Sequence, residues 1–410
     1  MDKETYSIEV NQTCLNVVQT RIDSIRSKKI RRTGLRMVNE GKIGVAGTLG
    51  EANEERLESR ARDSLELGIP YPYELTTGIQ EQRSLASDIR SAEQLISEAE
   101  ALLGELRQRQ SVFSFGNKII LTERSVTLNN TRDTLLVDTT SFIEILLVIK
   151  HKKSANIMDA FTGYNGVRYD KEEFLRLTDS ICNAYLNEIR DFEDGRYPVV
   201  FLPDSSHVMK FYDSLHGMLY GSGGSLLSGK IGEKLFADSF TLYSTRNNED
   251  GVFRTFFDTE GTVNKDFRFP LIENGVLRSP YTNKKASSMF GIPLTGEAGG
   301  DYDSVPNIDM PSFRISQSEK TIGELLGGRK AVFAFIADGG DFTSDGSFAS
   351  PVQFPILFDG EHFVGRLPEL SISSQFFRMF GEDFIGVGKD SLTTLAPMNL
   401  TAINMDVRKT

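Results

Sequence analysis

The chain opens on a period of two. Tyr6, Ile8 and Val10 point to one side, Val17, Val18 and Ile22 carry the extended pattern on, and GLRMVNEGKIGVAGT reads as a hairpin. Its arms are Leu35 to Val38 and Ile43 to Ala46, joined at Asn39-Glu40-Gly41, where glycine suits a tight turn. Such alternation predicts an antiparallel sheet with one wet face. From Glu51 to Leu67 the spacing becomes helical: Ala52, Leu57, Ala61 and Leu65 lie along one side, acids fill the first turn where the helix dipole favours them, and Gly68 and Pro70 end the run. The reading is a β-meander packed on a helix.

After the linker YPYEL, Leu85, Ile89, Ala92, Ile96, Ala99, Leu103 and Leu106 recur at steps of four and three. That heptad seam predicts a long helix over residues 76–110, packed on the sheet of its own domain or against another chain. KIILTE, SVTLNN and TLLVDTTSFIEILLVIKHK return to strands, and Gly163 to Gly166 are expected to break them. Asp170 and Glu173 suit the start of a helix from Lys171 to Ile189, with Phe174, Leu177, Ile181, Tyr185 and Ile189 inward and Cys182 packed beside them. DFEDGRYP, residues 191–198, marks a boundary before the apolar strand Val199 to Leu202, and glycine, phenylalanine and turn residues dominate beyond it. The expected fold is α+β: an N-terminal α+β domain over residues 1–195 and a β-rich domain over residues 196–410.

Composition narrows the function classes. A net charge of −11 over 410 residues disfavours a general nucleic-acid binder, and the one basic cluster, Arg26 to Arg32, is short. Cys14 and Cys182 are too few for a disulfide framework and lack CxxC spacing, which points to a reducing compartment. The N-terminus has no apolar signal core, and the apolar run Phe142 to Ile149 is interrupted by Glu144 and too short to span a bilayer. These features predict a cytoplasmic protein without membrane contact.

Candidate chemistry concentrates between Phe201 and Gly261. Gly224 to Lys230 copies the spacing of a phosphate loop, but a helix is expected before it and Ile231 stands where a magnesium-binding Ser or Thr belongs. His207 and His216 lie at and within an expected helix around Val208 to Leu219, nine residues apart and so on opposite sides of it. His151 and His362 are isolated. Asp258 with Glu260, and Asp338 with Asp341, are acid pairs beside glycine, spaced as turn formers that bond their own backbone or as candidate acid–base groups. No strained G-x-S-x-G elbow is present.

Four stretches together resemble the TldD/PmbA family, whose members are often described as modulators of DNA gyrase. They are GLRMVNEGKIGVAGT, LLSGKIGEKL at 226–235, FDTEGTVNKDFRFPLIENGVLRSPYTNKKASSMFG at 257–291 and DFTSDGSFASPVQFPILFDGEHFVG at 341–365. The resemblance implies a two-component cytosolic peptidase that degrades or matures unstructured peptides. Its TldD subunit carries HExxxH on a helix and binds zinc with a further cysteine; its TldE, or PmbA, subunit lacks these. In this sequence the equivalent helix reads FYDSLH: Phe211 replaces the first histidine, Tyr212 the glutamate, and His216 alone remains. No His-Glu pair occurs anywhere, and neither cysteine lies in the C-terminal half.

The resemblance therefore implies a metal-free, TldE-like chain that binds no cofactor, with zinc in a TldD-like partner as a heterodimer, or else a homodimer, and with extended peptides as substrate. Two other classes stay open. One is a stand-alone peptide- or protein-binding regulator; the other is an autonomous hydrolase using Asp258, Glu260 and His216.

Overall fold

The computed structural model describes residues 1–203, 205–392 and 400–410, and in it the opening alternation becomes two very long strands. β1 (Asp2–Val18) and β2 (Arg21–Asn39) pair antiparallel along their whole length, with a register shift at Asn16/Val17. They reverse through Gln19 and Thr20, both at positive φ (48° and 60°), a turn without glycine that carries no composition signal. The second reversal falls where Asn39-Glu40-Gly41 placed it: Glu40 (φ 49°) and Gly41 (φ 73°) lead into β3 (Lys42–Leu49). α1 (Glu54–Leu65), capped by the Asn53 side chain, lays Leu57 and Ala61 on Leu35, Met37 and Ala46.

The helix expected over 76–110 is shorter than its seam. Residues Gln80–Leu85 form β4, and α2 (Ala92–Arg109) begins only where Ser91 Oγ accepts from the Gln94 N–H. Leu85 closes a strand and Ile89 lies in the following loop, so their heptad spacing is coincidental; the cap, which satisfies an otherwise orphaned N–H, fixes the true start. Of the rest of the seam, Ala99, Leu103 and Leu106 are buried, joined by Leu95 and Leu102 from outside it, and pack with β5 (Phe113–Asn130) and β6 (Thr134–His151) in one core, while Ala92 and Ile96 are half-buried. β4 runs parallel to the start of β6, and β7 (Ala160–Gly166) pairs antiparallel with its end. Gly163 to Gly166 thus lie inside a strand instead of breaking one. The sheet order is β3-β2-β1-β5-β6-β4, with β7 on β6. α3 (Lys171–Leu186) starts where the Asp170 carboxylate accepts from the Glu173 N–H, and it buries Phe174, Leu177, Ile181 and Cys182.

β8 (Gly195–Phe201) sits inside a second sheet of nine strands. It lies parallel to Ala331–Ile336 on one side and antiparallel to Thr401–Lys409 on the other. One apolar core is continuous across both halves, joining Leu102, Phe174 and Ile181 to Phe333, Phe335 and Ile356. A second, rich in phenylalanine, lies wholly beyond residue 191. Among the described residues no helix is long and apolar enough to cross a membrane.

Candidate functional site

The single helix expected from Val208 to Leu219 does not form. A short 3-10 turn (Ser206–Val208) leads into α4 (Met209–Ser214), the chain breaks at Leu215 and His216, and α5 (Gly217–Gly221) follows. The cause is tertiary. The Gly217 N–H donates to the Tyr281 carbonyl and the Tyr281 N–H to the Leu215 carbonyl, so a distant segment of the same chain takes groups that a continuous helix would use. A side chain at 217 would have its Cβ 2.7 Å from that Tyr281 oxygen, so only glycine admits the approach.

This break changes what each residue faces. Phe211 is fully buried, with the rings of Phe240 (5.6 Å), Phe376 (4.8 Å) and Phe380 (4.7 Å) around it. Tyr212 rests on Phe313 at 4.5 Å, and its carbonyl accepts from the Tyr281 hydroxyl. His216 is half-buried and meets Tyr281 edge-on at 5.4 Å; burial lowers its pKa, with Asp213 opposing. His207 is entirely enclosed and stacked on Phe201 at 4.6 Å, and burial pushes it down to about 3. The residues at the degenerate motif therefore do not fit a zinc ion: the first ligand position is the middle of a phenylalanine cluster. Cys14 and Cys182 lie in β1 and α3. Among the described residues no three His, Cys, Asp or Glu side chains converge as a metal would require.

The acid pair at 258 and 260 is placed differently. Asp258 behaves as its spacing suggested: one carboxylate oxygen accepts from the Glu260 and Thr262 N–H groups (2.9 and 2.8 Å), the other from the Ala298 N–H at 3.0 Å. Glu260, also buried, points away from its own backbone. It accepts from the Tyr71 hydroxyl at 3.1 Å and the Lys284 N–H at 2.8 Å. Burial, aided by the Asp258 carboxylate, pushes Glu260 up to about 7, and burial with Glu260 as neighbour raises the Tyr71 phenol well above its usual range. Arg36, from β2, donates to Glu4 (3.1 Å) and to the Thr259 carbonyl, while Thr76 Oγ1 donates to the Glu260 carbonyl at 2.8 Å. The loop at 258–260 is thus a polar seam between the two halves of the chain. Tyr71 and Thr76 carried no motif, Tyr71 standing only in the YPYEL linker, whereas Arg36 and Lys284 lie inside stretches that carried the resemblance, with no role assigned to either.

His216 is not among the partners of this seam, so the structure does not bring together Asp258, Glu260 and His216 as one site. The Gly224–Lys230 stretch is a run of turns in which Lys230 faces Glu233 at 3.8 Å. Asp338 and Asp341 lie at a sheet edge; the Asp338 N–H donates to Gln353 and Asp341 accepts from the Phe342 N–H. His362 is an exposed turn residue, and His151 closes β6 against Phe113.

Comparison with known proteins fits this geometry. Residues 194–406, just over half of the chain, match the model of the PmbA/TldA metallopeptidase C-terminal domain. A zinc metalloprotease TldD homolog of Saccharolobus solfataricus is 22% identical over 256 residues, 59% of this chain and 56% of that protein. A metalloprotease of Methanothermobacter thermautotrophicus is 26% identical over 39% of each. The matched stretch thus spans little more than half of the longer-matching relative. Over whole chains, the crystal structure of a protein described as a modulator of DNA gyrase from Thermotoga maritima superposes with a TM-score of 0.80 at 16% identity, covering 99% of this chain and 96% of that one. TldE from Thermococcus kodakarensis gives 0.78, again at 16% identity and with coverage of 99% and 96%. At such identity the likeness is one of fold, while the family model reaches the sequence itself: the chain belongs to the TldD/PmbA family.

Proposed function

We propose that the protein is the metal-free, TldE-like partner of a zinc-bearing TldD-like subunit in a peptidase that degrades or matures unstructured peptides. The observation that carries this reading is Phe211: where the zinc relatives of the resemblance place a histidine, this chain has a ring enclosed by other rings. Enclosure of that kind leaves neither a lone pair nor an open coordination position for a hydrolytic metal. Zinc then belongs to the partner. This chain contributes fold, sheet edges for extended peptide and half of an interface. Net charge of −11 accords with a cytoplasmic protein that does not act on nucleic acid.

The test is metal content and native mass of the purified protein, alone and mixed with a TldD-like chain from the same host. Supporting results are no stoichiometric zinc alone, a heterodimer on mixing, and peptidase activity only in the mixture. Recovery solely as a homodimer, or chelator-sensitive hydrolysis by the chain alone, would sink it.

A further inference from the structure

The β1–β2 hairpin is longer than the strand that covers it. β3 pairs with β2 only from Arg32 to Asn39, and the Gly50 N–H extends the contact to the Arg31 carbonyl. From Ile30 back to Arg21 the outer side of β2 has no strand against it among the described residues. Main-chain groups alternate in direction along a strand, so the outward Arg31 carbonyl puts those of Lys29, Ser27 and Ile25 on the same open side. Ile25 is 49% exposed, and Ser27, Lys28 and Lys29 are exposed with it.

An open edge of this length is a template for another strand, and its side chains say which. Between residues 21 and 32 stand Arg21, Arg26, Lys28, Lys29, Arg31 and Arg32, against the single acid Asp23, in a chain whose net charge is −11. Arg31 pairs with Glu9 at 3.1 Å; among the described residues no ion pair engages the other five cations. We propose that residues 21–30 of β2 capture an extended acidic peptide, which adds as a further strand and sets its carboxylates beside Arg26 and Lys28, which share one face of the strand. A second copy of this chain is the wrong occupant, because edge-to-edge pairing of β2 with itself opposes cations to cations. Nucleic acid would answer the charge but leave the outward N–H and C=O groups unpaired. The biological setting rests on the peptide-handling reading above, but the binding belongs to this chain alone.

The experiment is fluorescence anisotropy on the full chain, with a labelled peptide of about ten residues alternating Thr and Glu. The expected result is binding that weakens with salt and falls about tenfold in Arg26→Glu/Lys28→Glu, which reverses both cations of one face. Ser27→Pro, which removes one outward N–H on an edge where proline is tolerated, gives a similar fall. A Thr-Lys peptide does not bind. Circular dichroism and thermal melting check each variant, and a peptide N-methylated on alternate residues repeats the main-chain test on the wild-type protein. Three results overturn the inference: no binding of the Thr-Glu peptide; binding indifferent to both Ser27→Pro and N-methylation; or a single-stranded oligodeoxythymidylate of equal charge that binds as well. Pairing with a zinc subunit is read separately by native mass, so either reading can fail while the other stands.

Discussion

Two buried regions of this molecule are enclosed by opposite means. Around His207 and Phe211 the enclosure is carbon: aromatic rings pack face and edge, and His207 Nδ1 finds no partner among the described residues. Around Asp258 and Glu260 it is a mesh of hydrogen bonds drawn from β2, the 71–76 segment and the Lys284 backbone. Yet both regions favour the neutral form of their titratable group. Burial lowers the base His207 and raises the acid Glu260, since either charge loses more hydration than its surroundings return. Burial pushes a base and an acid to opposite ends of the pH scale for one and the same reason.

The largest expected effect lies on the acid side. An unfolded histidine takes a proton below about 6.5, whereas folded His207 resists down to about 3. The stability it permits is full above 6.5 and lost as pH falls toward 3, by on the order of 5 kcal/mol. Urea unfolding from pH 7 to pH 4 should show His207→Leu losing less stability than wild type; parallel curves would break the comparison. Next is Phe211→Ala, which empties the centre of the ring cluster and should cost about 4 kcal/mol. Phe211→His should be destabilising too and gain no zinc by elemental analysis, since one equivalent of bound metal would mean that a site survives there.

Glu260 runs the other way. Its folded value of about 7 lies above the ordinary 4.5, so its contribution is complete below about 4.5 and is lost as pH rises through 7, on the order of 3 kcal/mol. Glu260→Gln should flatten that slope, and an unchanged slope between pH 5 and 8 would remove Glu260 from the account. The smallest change is Asp258→Asn. It keeps an acceptor for the Glu260 and Thr262 N–H groups and orphans only the Ala298 N–H, at about 1–2 kcal/mol by chemical denaturation.

How much of this was legible varied with how local its cause was. The Asn39-Glu40-Gly41 turn and the Asp170 cap are short-range chemistry, and the chain places both where its residues indicate. Heptad spacing runs on past the real helix start because Leu85 is half-buried in a strand and Ile89 buried in a loop, each for other reasons; Ser91, the cap residue, is the better signal. The break at His216 was not readable, because it depends on Tyr281 taking the Gly217 N–H. The turn-forming role that its spacing suggests for Asp258 is present because it is local, the acceptor bonds reaching only two to four residues along the chain. The state of Glu260 was hidden, since its partner Tyr71 is 189 positions away. Spacing alone also could not show that, among the described residues, no hydrogen bond or ion pair joins His216 to Asp258 or Glu260.

The strand Thr401–Lys409 carries a consequence for how the protein is made. It fills the gap between β8 and Leu370–Gln375, so Phe201 must wait for Thr401. On the ribosome, Val199, Val200 and Phe201 therefore emerge with both sides unpaired: Ala331–Ile336 later covers one side, and only Thr401–Lys409 covers the other. Completion of the nine-stranded sheet therefore waits until residues 401–409 have been made, with an apolar edge that a chaperone can shield in the interval. A circular permutant that supplies residues 401–409 ahead of β8 would let the sheet begin to close while the rest of the chain is still being synthesised.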